Sequence, residues 1–188
     1  VSHHLGQASL CDWRTPAWIL ERCWAIRGGR GFALDPATSP DNPTHAGEFW
    51  TDKGESEDWL PYESVFCNPP WSRKDPRIPP IHWWAAIMWN YGQARPDGHL
   101  FGILPASTNA AWFHKYVWPA AICFPRGRIV FEPPPGVVDF EAPSIDTCVF
   151  YYGPDRELFR AEFEDKGHVV LPPGRADRVH SIPGLQTG

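Results

Sequence analysis

Nowhere does this 188-residue chain hold the roughly 18 consecutive apolar residues that a membrane-crossing helix needs. Its opening residues show no charged-then-apolar pattern, so the expectation is a chain without a secretory leader. Cysteine pairing is equally thin. The five cysteines (Cys11, Cys23, Cys67, Cys123 and Cys148) are odd in number, and no two stand in a C-x-x-C spacing. That pattern reads as scattered reduced thiols of an intracellular protein rather than as a disulfide framework. The eight histidines form no H-E-x-x-H and no Cys/His ladder, and the adjacent His3 and His4 have no nearby carboxylate or thiol, so no metal is expected. Excess positive charge is missing too. With 17 Lys and Arg against 22 Asp and Glu, the net charge is −5. Such a balance argues against coating nucleic acid by bulk charge and leaves room for a local basic patch.

What the chain has instead is proline and tryptophan. Its 22 prolines and 16 glycines make up about a fifth of the residues, short of the ~25–30% of low-complexity chains. With 43% apolar residues, the composition describes a folded globule with ordered loops. The length suits one domain over residues 1–188, with a core at about 13–171 and a tail after Pro172 expected to be mobile. The 11 tryptophans are several-fold above an ordinary share. They are either core or part of a surface that stacks flat ligands.

Helix and strand signals alternate along the chain. Thr15 reads as an N-cap, Pro16 as a first-turn residue and Gly28-Gly29 as a stop, predicting an amphipathic helix over 16–27. Short strands are predicted at 31–35 and 48–51, separated by an irregular stretch at 36–47. Ser64-Val65-Phe66-Cys67 reads as a buried strand, followed by a helix at 80–95 with Trp83, Trp84, Ile87 and Met88 as core candidates. Further strands are expected at 100–104, 120–124, 128–132, 145–152 and 168–171, with helices at 108–118 and 155–165. This alternation points to a three-layer α/β sandwich with a mostly parallel central sheet. In such sheets ligands lie beyond the carboxyl ends of the strands, where Asp35 and Asn68 both fall.

The sharpest feature is Asn68-Pro69-Pro70-Trp71, directly after the Val-Phe-Cys strand. Two prolines fix φ and remove two backbone donors, which leaves carbonyls available as acceptors. The Asn68 side-chain carbonyl and the Pro69 carbonyl can together receive both hydrogens of an amino group. Trp71 can stack on the ring that carries it. An amine held this way, with its lone pair turned out of conjugation, can attack an electrophilic carbon.

The tetrad is similar to the catalytic motif of S-adenosylmethionine-dependent methyltransferases that act on the exocyclic amine (N6) of adenine. More closely, the chain resembles the small phage-type DNA N-6-adenine methyltransferases, from Trp13 to about Tyr152. The pieces that carry the resemblance are Trp13-Arg14-Thr15-Pro16, Phe32-Ala33-Leu34-Asp35-Pro36-Ala37 with Asn42 following, and Asp58-Trp59-Leu60. They continue as Phe66-Cys67-Asn68-Pro69-Pro70-Trp71-Ser72, Leu104-Pro105-Ala106-Ser107-Thr108 with Trp112-Phe113-His114, and Gly127-Arg128-Ile129-Val130-Phe131. Each is weak alone. Their order is what makes them specific.

The resemblance implies a Rossmann-like methyltransferase fold, S-adenosylmethionine as cofactor, DNA as partner, and a bacterial cytoplasm reached by a phage or prophage gene. It implies catalytic roles for Asn68, Pro69, Pro70 and Trp71. Thr15 and Pro16 are then expected at the methionine end of the cofactor, Asp35 and Pro36 at its amino-acid portion, and Asp58 at its adenine. Glu48 or Asp52, near the end of the second strand, is expected at the ribose hydroxyls. The stretch from Asp35 to Pro40 lacks the glycine most methyltransferases carry after the first strand, and Trp71 stands where Tyr is commoner. Arg73, Lys74 and Arg77 after the tetrad, with Arg126 and Arg128 around Gly127, are candidates for phosphate contacts. Loops at 72–80 and 132–144 are candidates for reading a short recognition site. The alternatives are the same chemistry on RNA adenine or protein glutamine, or an aromatic-rich single-strand binder without catalysis.

Overall fold

A computed structural model describes residues 13–71, 78–133 and 145–172. Four helices and seven strands follow the predicted order. They are α1 (Ala17–Ile26), β1 (Leu34–Asp35), β2 (Glu48–Phe49), β3 (Ser64–Cys67), α2 (Ile81–Ala94), β4 (His99–Pro105), α3 (Ala111–Tyr116), β5 (Ala121–Pro125), β6 (Thr147–Tyr152), α4 (Arg156–Phe163) and β7 (Gly167–Val170). All seven strands join one sheet in the order β2-β1-β3-β4-β6-β5-β7. β1 to β4 are parallel, whereas β6 lies antiparallel between β4 and β5, and β7 antiparallel at the β5 edge. The expectation of a mostly parallel sheet therefore holds for its first half; the second half is antiparallel at each pairing.

Period-two alternation builds the layers. On one face of the sheet Phe66, Phe101, Ile103, Val149 and Tyr151 pack with Ile19, Cys23, Phe159 and Phe163 of α1 and α4. On the other, Val65, Cys67, Leu100, Leu104 and Phe150 pack with Trp84, Met88 and Phe113 of α2 and α3. A sheet apolar on both faces needs a helical layer on each, which gives the expected three layers. Gly28 and Gly29 end α1 at φ 66° and 81°, with N–H groups bonded back to Ala25 and Trp24.

Four local expectations are corrected. Pro16, not Thr15, occupies the position before α1, and no side chain caps the helix. The strand at 31–35 shrinks to two residues. Residues 128–132 form no strand, although Ile129 and Phe131 are buried and Val130 is 65% exposed. The alternation is there, but the segment has only one bridge, Arg14 to Glu132, and no ladder to join. Trp83 is 56% exposed because α2 buries Trp84, Ala85, Met88 and Tyr91, a stripe that leaves Trp83 on the outer side.

Cys23, Cys67, Cys123 and Cys148 are free and buried, and burial pushes all four thiols up. Among the described residues no cluster of His, Cys, Asp or Glu is disposed to hold a metal ion, and no helix is long and apolar enough to cross a membrane. Cys11 and the tail from residue 173 lie outside the described residues.

Candidate active site

Two neighbouring strand ends create the site. β1 and β3 are neighbours, and the connection leaving β1 runs to β2 on one side while that leaving β3 runs to β4 on the other, so the two turn in opposite directions. Such a switch point opens a crevice at the carboxyl ends of the strands. β1 ends on Asp35 and β3 runs into Asn68, and both residues line one cavity with Trp13, Arg14, Thr15 and Thr44. The cavity holds about 30 Å³ of free space, room for a few waters at most.

Asp35 is 2% exposed. Thr44 Oγ1 donates to its Oδ2 at 2.7 Å and the Ala37 N–H to its Oδ1 at 3.1 Å. Burial pushes its carboxyl up to about 6, against the opposing pull of the Thr44, Ala37 and Thr38 hydrogen bonds. The loop that delivers Thr44 is clipped by Asn42, which sits at φ 45°. Asn42 Nδ2 donates to the Ala46 carbonyl at 2.9 Å, and its Oδ1 accepts from the Ala46 N–H at 3.1 Å. Side chains here supply the polar lining that the missing glycine-rich loop would offer from backbone. The close backbone approach is made elsewhere: a Cβ on Gly54 would lie 1.7 Å from the Pro36 carbonyl oxygen.

Asn68 is half-buried, and its Nδ2 donates to Thr15 Oγ1 at 3.2 Å. Thr15 is 8% exposed and reaches this position on a segment tied at both ends. Arg14 exchanges backbone hydrogen bonds with Glu132 at 2.9 and 3.0 Å, and Pro16 begins the turn into α1. The Arg14 guanidinium also pairs with Asp41, so residues 13–15 span the cavity between two loops. Past the cavity, Pro69 is buried, Pro70 half-buried, and Trp71 packs against Phe131 with ring centroids 5.4 Å apart at 87°. The Trp71 Nε1–H is buried without a hydrogen-bond partner.

The structure thus brings together Thr15, Asp35 and Asn68, with Pro16, Pro36, Pro69, Pro70 and Trp71 alongside them in the chain. Asp58 stands apart. It is exposed, absent from the cavity lining, and its Oδ1 accepts from the Leu60 N–H at 2.9 Å. Glu48 is exposed but held by Trp50 Nε1 at 3.0 Å, and the Tyr62 hydroxyl and Trp50 together keep its carboxyl below the usual range. Asp52 is exposed. Arg126 and Arg128 are exposed, and Arg128 Nε lies 3.5 Å from Asp146 Oδ1. Arg73, Lys74 and Arg77, with most of the loop at 132–144, lie outside the described residues. Thr44 and Arg14 were not singled out in the sequence. An isolated threonine nine residues past a strand end carries no signal until the chain folds back.

A family model described as DNA N-6-adenine-methyltransferase (Dam) matches residues 3–173. No curated protein and no solved structure matches the chain.

Proposed function

The chain belongs to the DNA N-6-adenine-methyltransferase (Dam) family, and from that premise we propose that it transfers a methyl group from S-adenosylmethionine to N6 of adenine in DNA. The observation that carries this reading is the meeting of Asn68, the first residue of the Asn68-Pro69-Pro70-Trp71 tetrad, with a buried carboxylate at one strand-end crevice.

The lining residues suit the cofactor's amino-acid end. Asp35 is a buried carboxylate with no cationic partner among the described residues, and an ammonium group seated beside it would offset its desolvation. Thr15, Pro16 and Pro36 complete that end. Glu48 is the better candidate for the ribose hydroxyls, because it lies on the second strand and Trp50 Nε1 and the Tyr62 hydroxyl hold its carboxylate in place. Asp58 keeps Oδ2 for the cofactor's adenine. The fold this implies is the Rossmann-like methyltransferase sandwich, a reading supported by the helical layers on both faces and the parallel pairing of β1 to β4.

When bound, S-adenosylmethionine supplies a methyl group on a sulfonium that departs as a neutral thioether. The chain's own contribution is position. Asn68 Oδ1 and the Pro69 carbonyl accept the two amino hydrogens of an adenine extruded from the stack, which turns the nitrogen lone pair toward the methyl group. Trp71 is the ring assigned to stack on the purine. The amino nitrogen so held would gain the methyl group as the cofactor's sulfur gives it up, and would release one proton to solvent. Arg73, Lys74, Arg77, Arg126 and Arg128 are the cations assigned to DNA phosphates. Asn68→Ala, folded and still binding S-adenosylmethionine, is expected to lose at least about 100-fold in kcat. Near-wild-type methylation by that variant contradicts the assignment.

A further inference from the structure

The sequence presents Thr15 as a helix cap, and the resemblance places it against the cofactor. The geometry points to a third role: Thr15 is a positioning residue that anchors the Asn68 amide by its nitrogen while its oxygen faces the substrate amine. This inference rests on the reading that Asn68 receives that amine.

A primary amide is nearly symmetric in shape, but its two ends are opposite in chemistry. Its oxygen accepts, and its nitrogen donates twice. Turned by 180° about its last bond, the Asn68 side chain presents two donors to an amino group that itself carries hydrogens, and the contact becomes repulsive. Something must therefore hold the nitrogen away from the substrate. Asn68 Nδ2 donates to Thr15 Oγ1 at 3.2 Å; a hydroxyl could also donate to the oxygen of a turned amide, and it is the two hydrogens of the substrate amine, needing Oδ1, that leave the nitrogen to Thr15.

Thr15 is built to hold still. It is 8% exposed, and its neighbour Arg14 is bonded to Glu132 in both directions. On the other side Pro16 fixes φ and its carbonyl accepts from the Ile19 N–H at 3.0 Å at the start of α1. The hydroxyl is not consumed by the helix, which has no side-chain cap. Its partner is instead 53 residues away in sequence, on the strand end that carries the tetrad. A fixed hydroxyl reaching across two elements to one amide is how a supporting residue orients a reacting one.

The test is Thr15→Val, which keeps the shape and removes the hydroxyl, beside Thr15→Ser, which keeps the hydroxyl. The readouts are kcat and KM on adenine-containing duplex DNA, the Kd for S-adenosylmethionine by calorimetry, and the melting temperature. The valine variant is expected to lose about 10- to 100-fold in kcat at saturating cofactor, over and above any weakening of cofactor binding, with a melting temperature near that of the wild type. The serine variant is expected to recover kcat to within a few-fold. Unchanged kcat in the valine variant overturns the proposal, as does a loss that saturating cofactor cures, since that is a cofactor contact. A second measurement needs no turnover: the Asn68 side-chain amide resonances in a ¹⁵N-correlated spectrum shift in the valine variant and return with serine. Unmoved resonances overturn the proposal even if the wild type proves inactive on DNA, an outcome that by itself contradicts only the functional reading. Should the valine variant not fold, Thr15→Ala takes its place in both measurements.

Discussion

Thr44 Oγ1 donates to Asp35 Oδ2 at 2.7 Å, and this one hydrogen bond spans the loop after the first strand to close the floor of the site. It does not fully offset the cost of burying Asp35, whose carboxyl is still pushed up to about 6. The sign of the linkage follows. A folded pKa above the unfolded one means that the folded chain holds the proton between about pH 4 and pH 6, where the unfolded chain has lost it. Asp35 therefore reduces stability as pH rises through that window, by roughly 3 kcal/mol once both states are ionised. Asp35→Asn is expected to match the wild type in urea denaturation near pH 4 and to exceed it at pH 7.5. The same variant is expected to lose S-adenosylmethionine affinity by at least about tenfold, while wild-type affinity falls as pH drops through about 6. A variant no more stable than the wild type at pH 7.5 contradicts this assignment of the cost.

Trp71 is expected to act through its ring face. Stacking on a base contributes about 1–3 kcal/mol, so Trp71→Ala should lower kcat/KM by about 10- to 100-fold and Trp71→Phe by much less. Because Trp71 packs on Phe131, the alanine variant should also become easier to cleave by protease in the 128–132 segment. Equal kcat/KM for the phenylalanine and alanine variants removes the stacking role.

Gly102 tests the sheet rather than the site. It pairs with Phe150 across β4 and β6, and an added Cβ would lie 2.3 Å from the Phe150 ring. Gly102→Ala is expected to destabilise the fold by about 1–3 kcal/mol in urea denaturation. No change in the transition midpoint argues against the β4–β6 register.

Arg128 stands 3.5 Å from Asp146, an exposed pair that keeps part of the local positive charge occupied. Asp146→Asn is expected to tighten DNA binding by about two- to fivefold at low salt, an advantage that shrinks as salt is raised. Arg128→Ala should weaken binding and flatten the salt dependence. If neither substitution moves the DNA affinity, Arg128 is not at the DNA surface.

Much of this was legible before folding. Pro16 with Gly28-Gly29 bracketed α1, and the Val65-Phe66-Cys67 run marked β3, because proline, glycine and a β-branched or aromatic run act locally. The tetrad was legible because two prolines after a strand restrict the chain in few ways. What the sequence hid depends on distant partners. Residues 128–132 alternate like a strand, yet among the described residues their one backbone bridge is from Glu132 to Arg14. Trp83 and Trp84 are equally apolar neighbours, and only the angle of α2 decides that one is buried. Thr15 looked like a cap because Thr-Pro often begins a helix; its partner Asn68 comes to it only through the pairing of β1 with β3. Thr44 had no local signal at all.

The most direct measurement is incubation of the protein with S-adenosylmethionine labelled on its methyl group and, separately, with duplex DNA, RNA and protein acceptors, followed by nucleoside and amino-acid analysis. The expected result is label in DNA alone, recovered as N6-methyladenine. Label recovered as methylcytosine, or only in RNA or protein, contradicts the proposed function.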